Sequence, residues 1–118
     1  MTKFNFSLSA REVIDDLVPK LKATERFLGN TLAAKIAACN DSGEAQRLQT
    51  LQAEFELEIA MVHMNLEHLL KRYSEQLADA VHDPEGKGGI MLTLDEHEAV
   101  AIESIRRLYQ RSHELQTA

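Results

Sequence analysis

The sequence is short of cysteine, of positive charge and of long apolar runs, and each shortage excludes a class of protein. Cys39 is the one cysteine, so the chain forms no internal disulfide. The 13 lysine and arginine residues are outnumbered by 19 aspartate and glutamate residues, and the net charge of -6 disfavours binding to DNA or anionic lipid. Apolar runs are far shorter than the roughly 20 residues that span a bilayer. No membrane segment is therefore predicted, and nucleic acid is not an expected partner.

The N-terminal residues and the length bear on compartment and domain count. The stretch MTKFNFSLSAREV has no continuous apolar segment of the signal-peptide type, which together with the single cysteine predicts a cytoplasmic protein. At 118 residues the chain is expected to form one domain, 1–118, with a core of its own. Because a core of that size gives limited stability, association with a second copy would help it.

Apolar residues spaced three and four apart predict three helices, separated by two stretches of helix-ending residues. The predicted helices span about 9–39, 42–81 and 93–115, and the breaks are NDSG and HDPEGKGG. Pro19 points away from the apolar stripe of the first helix, so a kink is expected there rather than a break. The predicted fold is all-α, an antiparallel three-helix bundle with a long central helix.

Short alternating stretches precede the first and third helices. The apolar residues at every second position are Phe4, Phe6 and Leu8 in KFNFSL, and Ile90, Leu92 and Leu94 in GIMLTL. This period predicts two very short extended segments, at 4–8 and 90–94. In an up-down-up bundle both lie at the same end. They either pair there as strands or cap the bundle as unpaired leaders.

Four consecutive ionisable residues, Asp95 to Glu98, form the densest run of charge. Neighbouring side chains on a helix diverge by about 100°, so the four are not expected to converge on one ion or substrate. The run is interpreted as a helix start in which Thr93 is the N-cap and Glu96 its capping-box partner. Ser9 and Glu12 show the same pattern before the first helix.

No stretch has the spacing of a known catalytic or metal-binding motif. Two of the five histidines, His63 and His68, are five residues apart, which puts them on different sides of a helix. His63 with Glu67, and Asp79 with His82, each offer two ligands and no more. Neither a Glu-x-x-His pair nor a nucleophile or phosphate-loop pattern occurs. No catalytic residue, metal ligand or cofactor is predicted.

Arg106, Arg107 and Arg111 are the candidate phosphate-binding patch, beside Tyr109 near the end of the third helix. A structural role explains them equally well. Glu103 precedes Arg107 by four residues, the spacing of a helical ion pair, and cations are favoured in a last helical turn. Binding to nucleic acid through this patch is therefore an alternative hypothesis.

The central helix has a second apolar face opposite its main stripe. The candidate interface residues on it are Ala53, Leu57, Ala60, Met61 and Met64. A helix in a monomeric three-helix bundle needs one apolar face, so either a wrapped neighbouring helix or a second subunit is expected to cover the other. Methionine is suited to an adaptable contact surface.

These patterns favour a non-enzymatic protein-protein interaction module, or a small regulatory accessory protein of bacterial style. It is expected to act as a homodimer, and another protein is a further candidate partner. The first alternative is a nucleic-acid-associated regulator that uses the C-terminal arginine patch. The second is an enzyme or metal-binding helical bundle with a site built around His63 and Glu67.

Overall fold

The computed structural model describes residues 7–83 and 85–117, apart from the side chain of Thr117. Within these ranges the chain forms four helices and one small sheet. The elements in chain order are β1 (Ser7–Ser9), α1 (10–38), α2 (Ser42–Arg72), α3 (Ser74–His82), β2 (Met91–Thr93) and α4 (Glu96–Thr117). The all-α class is confirmed, whereas the predicted number of helices is not.

α1 contains two wider, π-helical turns, at Val13–Leu17 and at Phe27–Leu32. The first lies directly before Pro19, which has no N–H to donate and whose ring crowds the carbonyl of the preceding turn. A wider turn accommodates such a residue without ending the helix. The prediction that the first helix passes through Pro19 is confirmed.

The start of α1 is fixed by a capping box between Ser9 and Glu12. The Glu12 backbone N–H donates to Ser9 Oγ at 3.1 Å, and the Ser9 backbone N–H donates to Glu12 Oε1 at 3.3 Å. Each side chain thereby satisfies an N–H group that has no partner within the helix. The predicted cap is confirmed.

β1 and β2 pair antiparallel, with Leu8 opposite Leu92. The contact continues into α1, where the N–H groups of Ala10 and Arg11 donate to loop carbonyls just before β2, each at 2.9 Å. The prediction of extended segments at 4–8 and 90–94 is confirmed for 7–8 and 91–93, and the two strands pair. Phe4 and Phe6, which the prediction also included, lie outside the described residues.

The predicted single helix over 42–81 is wrong, because Tyr73 separates α2 from α3. Its backbone angles, φ of -116° and ψ of 27°, are not helical. The Tyr73 hydroxyl accepts from the Thr93 backbone N–H at 3.1 Å and donates to the Thr93 carbonyl at 2.9 Å. The break therefore occurs where the Tyr73 side chain binds β2. Because Tyr73 and Thr93 are distant in sequence, apolar spacing does not reveal their contact.

The core lies between α1, α2 and α4, and β2 covers one end of it. Leu17, Phe55 and Ile105 are among the fully buried side chains that these helices contribute, and Leu92 is the corresponding residue of β2. The Phe55 ring packs against that of Phe27, with centroids 6.1 Å apart. Within the described ranges, no helix combines the length and apolar composition that crossing a membrane requires.

Replacing Ser9 with alanine is expected to lower the free energy of unfolding by about 1 kcal/mol, because the Glu12 N–H loses its acceptor. Urea unfolding followed by circular dichroism measures this loss. Ser9→Asp is the matched control, since aspartate restores an acceptor at the same position and should unfold close to wild type. An equal loss in both variants would contradict the capping assignment.

Candidate functional site

Glu98, in the first turn of α4, has a fully buried side chain, and each of its two carboxylate oxygens accepts two hydrogen bonds. Oε1 accepts from Arg72 Nη2 at 2.7 Å and from the Asp95 backbone N–H at 2.9 Å. Oε2 accepts from Arg72 Nε at 3.0 Å and from His68 Nδ1 at 2.9 Å. We call Glu98, Arg72, His68 and Asp95 the Glu98 cluster.

Asp95, rather than Thr93, caps α4. The Glu98 backbone N–H donates to Asp95 Oδ1 at 2.7 Å, and Glu98 Oε1 accepts from the Asp95 N–H, which completes a capping box. Thr93 is instead the last residue of β2. The prediction of a Thr93 and Glu96 cap is wrong because the strand extends into the position where the helix was expected. Asp95 and Glu98 meet after all, as the two ends of one cap.

The electrostatics of the Glu98 cluster favour an ionised carboxylate. Desolvation is the largest influence and raises the pKa of Glu98, but hydrogen bonds from Arg72, the Asp95 backbone and His68 outweigh it, so the pKa lies below its ordinary value. The same contact raises the pKa of Arg72. Removing Arg72 would leave the Glu98 carboxylate in the core without its counter-charge.

Arg72 connects the cluster to the small sheet. Its Nη2 also donates to the Thr93 carbonyl at 2.8 Å, and its guanidinium carbon lies 4.8 Å from the centroid of the Tyr73 ring. The planar, five-donor guanidinium binds a carboxylate and a carbonyl at once. One side chain thus joins the end of α2, the end of β2 and the start of α4.

Three potential metal ligands come together in the Glu98 cluster. Atoms of His68, Asp95 and Glu98 lie within 4.8 Å of one another, and this is the one such group among the described residues. However, Arg72 already binds both oxygens of Glu98, and a metal ion would have to displace that guanidinium. The arrangement is therefore explained by ion pairing and capping. Helical spacing could not reveal it, because the residues come from two helices.

The other histidine considered above, His63, contacts α1. Its Nε2 donates to Glu25 Oε2 at 3.0 Å, rather than pairing with Glu67. Both side chains of this pair are about two-fifths exposed, at 42% and 41%. The pair lies at the rim of a groove between α1 and α2.

All the candidate interface residues are exposed on one side of α2, and these are Ala53, Leu57, Ala60, Met61 and Met64. Leu57 is 66% exposed, Met61 58% and Met64 73%. Among the described residues no helix covers them, because α1 and α4 pack on the two flanks of α2. The interpretation of this face as part of the core of one chain therefore finds no support.

The exposed side of α2 continues onto α4 across a groove of about 300 Å³. Met61 and Val62 line it from α2, and Val100 and Ala101 line it from α4. Val100 is 52% exposed, so the apolar surface extends over two helices. We call the surface formed by Leu57, Met61, Met64 and Val100 the α2–α4 apolar face. Apolar spacing along α2 does not reveal Val100, because Val100 belongs to another helix.

The candidate phosphate patch comprises Arg106, Arg107 and Arg111. The structure directs the three guanidinium groups to three different partners. Arg106 Nη2 lies 4.0 Å from Glu12 Oε2, Arg107 forms an ion pair with Glu58, and the Arg111 guanidinium lies 5.4 Å from the Phe55 ring centroid. The predicted ion pair between Glu103 and Arg107 is not among these contacts, because Arg107 pairs with Glu58 of α2 instead. The three arginines therefore contact α1 and α2.

Comparison of the chain with models of protein families, with curated proteins and with solved structures finds no match.

Replacing Glu98 with glutamine is expected to cost about 1–3 kcal/mol and to flatten the acid side of the stability profile. The folded pKa of Glu98 is lowered, so its contribution is complete above the unfolded pKa of about 4.3. That contribution is lost as the pH falls through the folded value. Between about pH 6 and about pH 3 the wild type should therefore lose more stability than Glu98→Gln.

Urea unfolding across this pH range measures the difference. Glu96→Gln is the matched control, because Glu96 is an exposed neighbour on the same helix turn. The Glu96→Gln variant should keep the wild-type dependence of stability on pH. Asp95 and His68 remain in both variants. Parallel profiles for wild type and Glu98→Gln would show that the carboxylate is not held in its ionised form by folding.

Folding is expected to be independent of metal, because Arg72 already neutralises Glu98. Melting curves of the purified protein with and without a strong chelator should overlay. A fall of several degrees on chelation that Zn²⁺ reverses would contradict this expectation and would assign His68, Asp95 and Glu98 as ligands.

Proposed function

We propose that the chain is a non-enzymatic protein-interaction module that acts as a homodimer through the α2–α4 apolar face. The observation that carries this proposal is the exposure of Leu57, Met61 and Met64 on one side of α2. Burying one such side chain is worth about 1.5–3 kcal/mol, which is a large fraction of the stability of a small domain. A second chain that covers this surface gains that free energy.

A second copy fits the face because the face has both a ridge and a groove. Leu57 and Met64 are exposed on α2, and Met61, on the same side of that helix, lines the groove together with Val100. In a two-fold dimer the same patch serves both chains, so each ridge meets the partner's groove. Methionine side chains adapt readily to such a contact.

The polar residues that flank Met61 favour an antiparallel crossing at a two-fold axis. Glu54 and His68 each lie seven residues from Met61, in opposite directions along α2, and both are exposed. Seven residues are close to two helical turns, so both side chains point to the same side as Met61. An antiparallel crossing at Met61 brings Glu54 of one copy towards His68 of the other, whereas a parallel crossing would bring the two Glu54 carboxylates together, which disfavours the parallel arrangement.

Within one chain, we propose that the three long helices form an antiparallel bundle. Its support is the order of the contacts between α2 and α4. Glu58 contacts Arg107, whereas Arg72, further along α2, contacts Glu98, which is earlier in α4. α3 then extends the central helix past the break. This course leaves the middle of α2 outermost, where the dimer needs it.

A cytoplasmic homodimer without a catalytic site is the simplest account of the chain. Its net charge of -6 and its separately paired arginines give little support to the nucleic-acid alternative. The metal alternative was placed at His63 and Glu67, but His63 contacts Glu25. The ligand group that converges instead, at Glu98, is occupied by an arginine. We therefore retain protein interaction as the leading function.

The substitution Met61→Glu is expected to convert a dimer into a folded monomer. In the dimer it places two like charges close to the two-fold axis in an apolar contact, which is costly to desolvate and repulsive. In the isolated chain Met61 is 58% exposed, so the fold should tolerate the change. Size-exclusion chromatography with light scattering gives the mass, and circular dichroism gives the helical signal.

Met91→Glu is the matched control for this test. Met91 is 57% exposed, nearly the same as Met61, but lies on β2 and outside the α2–α4 apolar face. The Met91→Glu variant should remain dimeric. A wild-type protein that is monomeric at micromolar concentration would end the homodimer proposal and leave another protein as the candidate partner. Dissociation of both variants would place the interface elsewhere.

A further inference from the structure

A second groove, of about 410 Å³, lies between α1 and α2 on the flank of α2 opposite α4. Leu28 and Ile59 supply apolar lining from the two helices. Gly29 and Ala60 border the same space and add little bulk. The groove is therefore open and has an apolar lining.

The charged groups beside this groove are mainly carboxylates. Glu25 lies on the α1 side and Glu56 on the α2 side, with His63 between the helices as the hydrogen-bond donor to Glu25. Glu56 has no hydrogen bond or ion pair within residues 7–83 and 85–117. A groove with apolar lining and an unpaired carboxylate at its edge is complementary to a cation that has an apolar stem.

Gly29 is not required by the fold of α1. It lies in the π-helical turn Phe27–Leu32, its backbone has no positive φ, and a Cβ built on it would meet nothing within 4 Å. Glycine destabilises a helix relative to alanine. Neither the backbone nor the packing requires glycine at position 29, so the open space beside Gly29 needs another explanation. That space is part of the groove, and wider helical turns of this kind occur frequently at functional sites.

We propose that the α1–α2 groove binds a small organic cation with a short alkyl chain, of the alkylguanidinium class. The alkyl chain would lie on Leu28 and Ile59, and the guanidinium would contact the Glu56 carboxylate at the edge of the groove. A planar, weakly hydrated guanidinium binds carboxylates in a bidentate manner and tolerates partial burial.

An organic cation fits the groove better than a metal ion does. Among the described residues, the potential metal ligands that converge are those at Glu98, and Glu25, Glu56 and His63 are not such a group. The site adjoins the candidate interface at Ala60, but it shares no residue with the α2–α4 apolar face. Its residues on α2 face α1, whereas Met61 and Val100 line the groove on the α4 side.

Butylguanidinium is the probe for a two-dimensional nitrogen–proton NMR titration of the full chain, with butyrate as the probe of opposite charge. Butylguanidinium should give saturable shifts centred on the amides of Leu28, Gly29 and Ala60. Glu56→Gln should weaken binding about threefold, the effect of one partly exposed charge contact. Glu75→Gln, an exposed glutamate on α3, should bind as wild type does.

Gly29→Leu should abolish binding by filling the groove, and Gly29→Ala is its size control, which should retain binding because a Cβ fits there. Glu56→Gln decides the question if Gly29→Leu fails to fold, since Glu56 is exposed. Met61→Glu should bind as wild type does, whatever its oligomeric state. The proposal is overturned if the shifts do not saturate, if butyrate gives the same shifts, or if Glu56→Gln binds as tightly as wild type.

Discussion

The ion pair between the buried carboxylate of Glu98 and the half-exposed Arg72 is the constraint on which the rest of the structure depends. A carboxylate with no solvent exposure must have its charge neutralised and its oxygens bonded, and Arg72 does both. The same guanidinium holds the Thr93 carbonyl, which fixes β2. β2 in turn pairs with β1, and the carbonyls just before it accept from the first N–H groups of α1. The end of α2 and the starts of α1 and α4 are thereby fixed by one connected set of contacts.

Local signals in the sequence were sufficient for features that depend on residues close together in the chain. The Ser9 and Glu12 cap needs four consecutive residues, and its pattern predicted it correctly. The exposed side of α2 follows from helical period, so Leu57, Met61 and Met64 were identified from spacing alone. The all-α class follows from the same periodicity.

Features that depend on contacts between distant segments could not be found in this way. Tyr73 ends α2 because its hydroxyl binds Thr93, and the apolar period of the helix continues unchanged through that position. The cap at Asp95 was displaced from Thr93 because a strand occupies Thr93, and that strand exists only by pairing with β1. The convergence of His68 with Glu98 joins two helices, which spacing along one helix does not show.

The connected contacts around Glu98 all lie at one end of the bundle, so the helices are held together more firmly at that end than at the other. At the opposite end, the last piece of α1, Ala33–Ala38, has no buried residue. The tertiary hydrogen bond described there is the one from Lys35 Nζ to the Leu115 carbonyl, at 3.2 Å. Fluctuations that separate the helices therefore begin at the turn before α2 and progress towards Glu98. Amide protons should exchange with solvent in that order, with a gradient of protection along the long axis.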